Sequence, residues 1–407
     1  MKQRLRRWQE ATIKTALQSS RIVNITGARQ VGKTTMTKLL GLENAVFRTL
    51  DDGASLEFAR TDPKTFLLHD ERQTLVIDEI QKAPELLSAM KMAVDECDDP
   101  GQFLITGSAD LKTLPSVRES LAGRMRSVRL RTFTEGELRG QESDFLGRLF
   151  GGGFEPVRLS GDKRSALGRA FRGGYPEAVR LDGENRADWF DAYIDALLTH
   201  DIADVSDIRR TDVLRKVFDF LLSRSSKIWN VQEVTTAIGI SRPAIEAQIA
   251  ALKRMYLFDE VPAWTDNDYR RSVLKSKYFA ADTGLMAHAL GWDEAAVLFD
   301  SDKSGKVIET LVYQELAAAA DLERGVRIMH YRDRDAREID FLLSNRKGEL
   351  VAVEVKSSAT AHSEDFKTIK WFDEHIHPLV GKVVIYCGDT TVSFGDGCWA
   401  CPLSSLS

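Results

Sequence analysis

A glycine-rich octapeptide between a short apolar run and a helical pattern constrains the fold of this chain more than any other feature. Residues 27–34 read Gly-Ala-Arg-Gln-Val-Gly-Lys-Thr, which fits the pattern G-x-x-x-x-G-K-T. The preceding residues 21–26 are mostly apolar, as in a buried strand, and residues 35–40 continue as a helix. The sequence therefore predicts an α/β fold, in which helices wrap a parallel sheet that carries a phosphate-binding loop.

The chemistry of phosphate binding explains these residue types at this spacing. The two glycines let backbone N–H groups curl around phosphate oxygens, and the start of the following helix adds its partial positive charge. Lys33 would reach the β- and γ-phosphates of ATP, and the Thr34 hydroxyl would ligate Mg²⁺. The predicted ATP-binding residues of this segment are Gly27, Ala28, Arg29, Gln30, Val31, Gly32, Lys33, Thr34 and Thr35.

Two carboxylates follow a second apolar run and complete the predicted ATP site. Residues 75–79 read Leu-Val-Ile-Asp-Glu. Ligands of a parallel sheet bind at the carboxyl ends of its strands, where this pair would lie. We expect Asp78 to hold Mg²⁺ and Glu79 to orient or deprotonate the attacking water. The alternative is that these are two solvated acids at a strand end.

Further candidates follow the next apolar run, residues 103–106. A hydroxyl at the end of this strand can contact the γ-phosphate, and Ser108 is the first choice for this role, with Thr106 second. Arg124 ends a predicted helix just before the last strand of the domain, where an arginine finger would project into the site of a neighbouring subunit. Arg118 is the other candidate for this role. The alternative is that the arginine is an ordinary surface residue.

Composition describes a soluble globular chain and excludes several classes of protein. A length of 407 residues favours two to four domains, and four cysteines are too few for a disulfide framework, so we expect a cytoplasmic protein. The net charge of −5 means that any nucleic-acid surface must be local. No run approaches the roughly 18 apolar residues of a membrane span, so we expect no membrane contact.

The rhythm of apolar runs and helical patterns predicts four consecutive domains. These are the phosphate-loop domain at residues 1–145, a helical lid or connector at 146–206, a third domain at 207–280 and a small α/β domain at 281–407. In the third, a helix, a tight turn, a second helix and a hairpin follow one another, which is typical of a winged helix-turn-helix. Predicted strands of the first domain lie at residues 21–26, 45–50, 74–77, 103–106 and 127–130.

The predicted winged helix offers a modest surface for DNA. The second helix, predicted at residues 241–255, presents one acid among few bases, so Tyr269, Arg270 and Arg271 at the hairpin tip are the better phosphate candidates. The alternative is a module that packs domains together or contacts protein.

Acids and a lysine in the last domain resemble the core of PD-(D/E)XK nucleases. Asp340 lies on one predicted strand, Glu354 and Lys356 lie on one face of the next, and Glu309 lies on an upstream helix. Carried over from that resemblance, Asp340 and Glu354 would ligate a metal ion, Lys356 would orient water, and Glu309 would be auxiliary. Ile339 stands where that family often has proline. In the alternative, Lys356 pairs with the acids and no metal binds.

The order of motifs resembles AAA-family ATPases, and more closely one prokaryotic group. Members of that group couple such an ATPase to a C-terminal domain of unknown function, the 4143 family. The resemblance implies a P-loop AAA-type sheet with a helical lid, a winged helix and a small restriction-nuclease-like domain, but not the substrate. It rests on Gly-Ala-Arg-Gln-Val-Gly-Lys-Thr-Thr at 27–35, Ile-Asp-Glu-Ile-Gln at 77–81, Thr-Gly-Ser at 106–108, Gly-Tyr-Pro-Glu at 174–177, Lys-Tyr-Phe-Ala-Ala-Asp-Thr-Gly-Leu at 277–285 and Glu-Ile-Asp-Phe at 338–341.

Two functions are consistent with these observations. The preferred one is an ATP-hydrolysing switch or motor that acts on DNA or RNA through the winged helix and the nuclease-like domain, with Mg²⁺ as cofactor. The other is a regulatory or scaffold ATPase that acts on a protein partner, with an inert nuclease-like domain. A trans-acting arginine would require a homo-oligomer in either case.

Overall fold

A computed structural model describes residues 5–70, 72–108, 121, 123–202, 211–266 and 274–406. These residues form two compact units. The first consists of the described parts of residues 1–131, 196–209 and 250–257, and the second of the described parts of residues 132–195, 210–249 and 258–407. Each unit has its own sheets and core, so each is described by itself.

The first unit contains a five-stranded sheet in which every neighbouring pair is parallel, and its strand order is β2-β3-β4-β1-β5. Every residue of β1 and β4 is buried, which explains why their sequences are mostly apolar. The strands are β1 (Ile22–Thr26), β2 (Ala45–Thr49), β3 (Thr74–Asp78), β4 (Phe103–Gly107) and β5 (Met125–Arg129). This sheet confirms the predicted α/β fold.

Helices cover this sheet and enclose the core of the unit. One apolar cluster packs side chains of β1, β3 and β4 against the helix Leu86–Glu96, with Leu75, Ile105 and Met90 among its fully buried members. The helices before residue 131 are Gln9–Leu17, Lys33–Leu39, Gly53–Thr61, Pro63–Phe66 and Leu86–Glu96.

Some predicted boundaries were wrong by a few residues. Apolar residues at helical spacing predict a first helix over roughly residues 5–18, but the helix begins at Gln9. The last strand, predicted at residues 127–130, is Met125–Arg129. This strand lies at the edge of the sheet and four of its five residues are only half-buried, so its sequence is less apolar than that of a central strand. The sequence pattern therefore does not show where this strand starts, because its position at the sheet edge permits polar residues.

The second unit contains a small antiparallel sheet, and two consecutive helices lie between its first two strands in the chain. Its strand order is β6-β8-β7, with β6 at Lys227–Ile228, β7 at Phe258–Val261 and β8 at Lys277–Ala280. The strand-like sequence at residues 257–264 and 272–280 predicts the two strands of the hairpin, and β7 and β8 are shorter than these runs. The candidate hairpin residues Tyr269, Arg270 and Arg271 lie outside the described residues, and the winged helix stays a prediction.

Local sequence sets the ends of the two consecutive helices. Asn230 accepts a hydrogen bond from the Glu233 N–H and so caps the helix Val231–Ile238. Gly239, with φ of 77°, terminates this helix in the left-handed conformation. The other helices between residues 132 and 300 are Glu135–Arg139, Phe145–Gly151, Lys163–Arg172, Gly183–Ala196, Thr211–Ser223, Arg242–Arg254, Thr283–Ala289 and Glu294–Phe299.

The C-terminal part of the second unit contains a mixed six-stranded sheet with the order β13-β14-β12-β11-β10-β9. Neighbours β9, β10 and β11 are antiparallel, whereas β11, β12 and β14 are parallel. Its strands are β9 (Arg327–Arg332), β10 (Glu338–Ser344), β11 (Leu350–Lys356), β12 (Leu379–Tyr386), β13 (Val392–Ser393) and β14 (Cys398–Pro402), and the helices of this region are Ser301–Leu322 and Lys367–His375.

Close backbone approach explains the glycines at 174 and 284. A Cβ on Gly174 would lie 2.3 Å from the Phe133 carbonyl oxygen, and one on Gly284 would lie 2.7 Å from the Cα and N of Gly173. The buried carboxylate of Asp282 accepts from the N–H groups of Gly174, at 2.8 Å, and Leu285, at 2.9 Å. The sequence motifs at residues 174–177 and 277–285 are therefore in direct contact within the second unit.

In the parts of the chain that the structure describes, every helix is too short or too polar to cross a membrane. The division into four domains, at residues 1–145, 146–206, 207–280 and 281–407, stays a prediction.

Candidate functional site

Three segments of the first unit meet at the carboxyl edge of its parallel sheet. The glycine-rich loop follows β1, Asp78 ends β3, and Ser108 follows β4. These three strands are neighbours in the order β3-β4-β1, so their ends lie side by side. The structure thus brings together the residues that the sequence placed in one site.

The backbone of the loop adopts conformations that require glycine. A Cβ on Gly27 would lie 2.1 Å from the Leu130 carbonyl oxygen, so no side chain fits at this position. Gly32 has φ of 96° and precedes the helix Lys33–Leu39. Gln30 also has a positive φ, of 63°, which is uncommon for a residue with a side chain. This shape leaves N–H groups free to converge on an anion.

Lys33 is the buried cation of this edge. Its Nζ donates to the carbonyl oxygens of Gly27, at 3.0 Å, and Ala28, at 2.9 Å. Burial lowers the pKa of Lys33 to about 8, although the nearby carboxylates of Glu79 and Asp78 act in the opposite direction. Carbonyl oxygens carry no full charge, so the contacts that the described residues make to this ammonium include no ion pair, and it can turn to a phosphate.

Asp78 receives hydrogen bonds from two hydroxyl groups. The Thr34 Oγ1 lies 2.8 Å from Oδ2 and 3.1 Å from Oδ1 of the carboxylate, and Thr106 donates to Oδ1. Hydroxyl and carboxylate oxygens are the donors that Mg²⁺ prefers, so Thr34 and Asp78 fit this ion. Thr106 is fully buried and supports Asp78, whereas Ser108 is only half-buried.

Glu79 lies in a strained backbone conformation beside Asp78. Its φ of 60° and ψ of 45° place it in the left-handed region, which a non-glycine residue rarely adopts. The Glu79 N–H donates to Thr106 Oγ1 at 3.2 Å, and its carboxylate accepts from the Gln81 amide. The same amide nitrogen lies 3.0 Å from Ser108 Oγ. Gln81 was quoted for the resemblance, but no role was predicted for it.

Two arginines contact the glycine-rich loop or extend from it. Arg7, which the sequence analysis did not single out, is buried and donates to the carbonyl oxygens of Val31, at 3.0 Å, and Arg131, at 2.5 Å. In the sequence Arg7 lies in a short basic segment, and no motif in that segment predicts a contact with the glycine-rich loop. Arg29 is largely exposed and forms an ion pair with Asp201.

Arg124 lies at the opposite edge of the sheet. It directly precedes β5, whose first residue Met125 stands beside Ile22, the first residue of β1. Its guanidinium donates to both carboxylate oxygens of Asp95. The structure therefore does not bring Arg124 to the site of its own chain, and a role in trans stays a prediction. Arg118 lies outside the described residues.

A buried lysine occupies the acidic cluster of the second unit. Lys277, on β8, is 1% exposed, and its Nζ lies 3.0 Å from Glu309, 2.6 Å from Glu338 and 3.0 Å from Asp340. Glu354 instead pairs with Lys356 at 2.9 Å, which confirms that these two share a face of β11. Within the described ranges, no group of three or more histidine, cysteine or acidic side chains could hold a metal ion.

The charges of this cluster follow from burial and from Lys277. Burial opposes the ionised form of Asp340, but Lys277, the Val355 N–H and Lys356 together outweigh it and keep the pKa of Asp340 below its usual value. Burial and the charge of Asp340 raise the pKa of both Glu309 and Glu354. A divalent ion at Asp340 and Glu354 would have to displace the ammonium groups of Lys277 and Lys356, so these residues do not fit a metal site as they stand.

Comparisons with known families agree with this arrangement. Residues 19–139 match the model of an AAA domain, and residues 304–406 match a domain of unknown function, DUF4143. The chain contains an AAA domain and a DUF4143 domain. Residues 165–296 match a second domain of unknown function, DUF8612. The AAA match confirms the predicted AAA-type sheet.

This chain is also similar in sequence or in structure to the following proteins, and these similarities do not indicate its substrate. Uncharacterized proteins of Mycobacterium tuberculosis and Mycobacterium bovis are each 26% identical over 402 residues, covering 96% of this chain and 85% of theirs. The RuvB Holliday junction branch migration motor of Thermotoga maritima is 16% identical, with 65% of this chain and 93% of that chain covered and a TM-score of 0.27. AMPPCP-bound DnaA from Aquifex aeolicus is 14% identical, with 60% and 86% covered and a TM-score of 0.29. Structural similarities this low carry no argument about function.

Replacing Lys277 by methionine should destabilise the chain strongly. Removal of the ammonium leaves the buried, ionised carboxylate of Asp340 without the Lys277 counter-ion, which costs about 3–5 kcal/mol. The loss should shrink as pH falls, because unpaired buried carboxylates take up protons. Urea denaturation at neutral and at acidic pH measures both effects. Lys303→Met, at an exposed pair with Asp300, is the matched control and should change the midpoint little.

Proposed function

We propose that this chain binds ATP with Mg²⁺ and hydrolyses it at the carboxyl edge of the AAA sheet. The observation that carries the proposal is the pair of hydrogen bonds, at 2.8 and 3.1 Å, from the Thr34 hydroxyl to the Asp78 carboxylate. They join the glycine-rich loop to the acidic strand end, so the groups that bind phosphate and metal already stand together.

Each residue of the edge has a role in this reaction. Backbone N–H groups of the loop and the Lys33 ammonium bind the phosphates and neutralise charge that develops during transfer. Thr34 and Asp78 hold Mg²⁺, which when bound supplies positive charge beside the phosphates. Glu79 accepts a proton from the attacking water, and the Ser108 hydroxyl donates a hydrogen bond to the γ-phosphate.

For the rest of the chain, the regulatory or scaffold reading has the better support. The Lys277 ammonium pairs with Asp340, and the Lys356 ammonium pairs with Glu354, so both carboxylates that a nuclease metal would need already have a cation. The DUF4143 domain would then be catalytically inert, and ATP-driven change would act on a protein partner. A nucleic-acid substrate is the second candidate, and its better phosphate candidates, Tyr269, Arg270 and Arg271, lie outside the described residues.

Calorimetry with Mn²⁺ separates these readings. If Lys277 replaces the metal, wild-type protein and the Asp340→Asn variant should bind Mn²⁺ alike. Lost Mn²⁺ binding together with lost DNA or RNA cleavage in Asp340→Asn would restore the nuclease reading.

Glu79→Gln should abolish most ATP turnover while ATP still binds. The amide cannot accept a proton from water, and loss of a general base costs roughly 10²- to 10⁴-fold in kcat. Lys33→Ala should lower both binding and turnover, because the ammonium contacts the phosphates. Phosphate release and nucleotide titration measure the two effects. Glu57→Gln, on the exposed face of the helix Gly53–Thr61, is the control. Turnover equal to wild type in Glu79→Gln would reject the proposed site.

Above about pH 8, Lys33 should take up a proton when ATP binds. Unliganded Lys33 has a pKa of about 8, and phosphate contact favours its charged form, so above that pH the ligand must recruit the proton. Calorimetry in buffers of different ionisation enthalpy should give uptake near zero at about pH 7 and toward one proton at about pH 9. Lys33→Arg stays charged throughout and should remove the uptake. The same uptake in both proteins would assign the proton elsewhere.

Arg124→Ala should lower turnover without weakening ATP binding if Arg124 acts in a neighbouring subunit. Mixing this variant with Lys33→Ala should then partly restore activity, because each supplies what the other lacks. Asp95→Asn breaks the ion pair of Arg124 but keeps its guanidinium, so this control should stay active. Turnover per subunit that is constant on dilution to the monomer contradicts the role in trans.

A further inference from the structure

A single glutamine amide bridges the proposed base and the proposed γ-phosphate contact. Gln81 lies on the short turn Ile80–Lys82 that follows Glu79. Its Nε2 donates to the Glu79 carboxylate and to Ser108 Oγ, which is 3.0 Å away. A carboxylate only accepts hydrogen bonds, so the NH₂ end of the amide must face Glu79, and its two protons serve these two contacts.

This polarity leaves Ser108 with a defined role. Because Ser108 Oγ accepts from Gln81, the hydroxyl proton remains to be donated to another group. An oxygen of the γ-phosphate is the acceptor that the proposed function supplies. When the γ-phosphate is lost, Ser108 loses the acceptor of its hydrogen bond. This change would reach the Glu79 carboxylate through the Gln81 side chain.

Gln81 is also the group that fixes the carboxylate of Glu79. The Glu79 backbone is held by its N–H bond to Thr106. Among the described residues, the hydrogen bond from Gln81 is the one that restrains the Glu79 carboxylate. The Gln81 Oε1 is buried without a hydrogen-bond partner in the same described part of the chain. An amide that leaves its own acceptor unsatisfied to hold a carboxylate incurs a cost in stability, which suggests a functional reason for the contact.

We infer that Gln81 is a positioning residue that couples the Ser108 hydroxyl to the Glu79 carboxylate during ATP hydrolysis. The inference rests on the proposed function, because it assigns the base to Glu79 and the phosphate contact to Ser108. Gln81 itself touches neither phosphate nor Mg²⁺ in this role. Its loss should therefore reduce the rate of the chemical step and leave nucleotide binding intact.

Gln81→Met is the direct test, because methionine keeps the length of the side chain and removes both donors. We expect kcat to fall roughly 10- to 100-fold, as for a displaced catalytic group, with the KM for ATP and the affinity for a non-hydrolysable analogue within about twofold of wild type. Gln102→Met is the matched control. Its amide also makes two hydrogen bonds in the first unit, to the Cys97 and Asp99 carbonyls, but it precedes β4 at the opposite edge.

Double variants distinguish positioning from a general loss of structure. Adding Gln81→Met to Glu79→Gln should lower kcat no further, because the residue being positioned is already inactive. Gln81→Met and Ser108→Ala should likewise be less than additive. Gln81→Asn keeps the amide on a shorter stem that cannot span both partners, and it should fall between wild type and Gln81→Met. It also serves as the test if the methionine variant does not fold.

Three outcomes have distinct meanings. An active wild type with unchanged kcat in Gln81→Met and Gln81→Asn overturns the inference and leaves the proposed function standing. Equal loss of ATP affinity and kcat, or full additivity with Glu79→Gln, assigns Gln81 a structural role and also overturns it. Wild-type turnover that is unchanged by Glu79→Gln rejects the proposed function itself.

Discussion

The hydrogen bonds to Asp78 connect the separate parts of the proposed nucleotide site. Thr34 brings the glycine-rich loop to this carboxylate, and Thr106 brings the end of β4. Both contacts depend on the parallel order β3-β4-β1, because only neighbouring parallel strands place their carboxyl ends at one edge. Glu79 depends on the same network through its N–H bond to Thr106. The sheet therefore positions the site, and the Asp78 contacts orient its side chains.

Sequence predicted those features that are encoded locally. The central strands were visible because burial on both faces requires a continuous apolar run, and the glycine-rich loop was visible because its residues are adjacent in the chain. Gln81, Lys277 and Arg7 were missed as functional residues for one physical reason. Each acts through a contact with side chains or carbonyl groups that the fold, and not the local pattern, brings within reach. The edge strand β5 shows the same limit, since partial exposure blurred its boundary.

The acidic cluster of the DUF4143 region shows that one sequence pattern is consistent with more than one kind of cation. Asp340 and Glu354 lie on adjacent strands, where Phe341 stands opposite Val353, as the alternation implied. Two converging buried carboxylates need a cation, and spacing alone does not say which one. The sequence analysis considered a metal ion or Lys356. In the structure the ammonium of Lys277 bonds to Asp340, and it comes from a different sheet of the same unit.

Comparison of the two buried lysines shows what separates a ligand site from a structural cluster. The Lys33 ammonium bonds to uncharged carbonyl oxygens, and burial lowers its pKa to about 8. Around Lys277, burial acts in the same direction, but three bonded carboxylates outweigh it and raise the pKa. A lysine in the first state gains stability when an anion arrives, whereas one in the second state would have to break ion pairs to receive it. Lys33, which bonds to no carboxylate among the described residues, is therefore available to a phosphate. Lys277, which bonds to three, stays in its structural ion pairs.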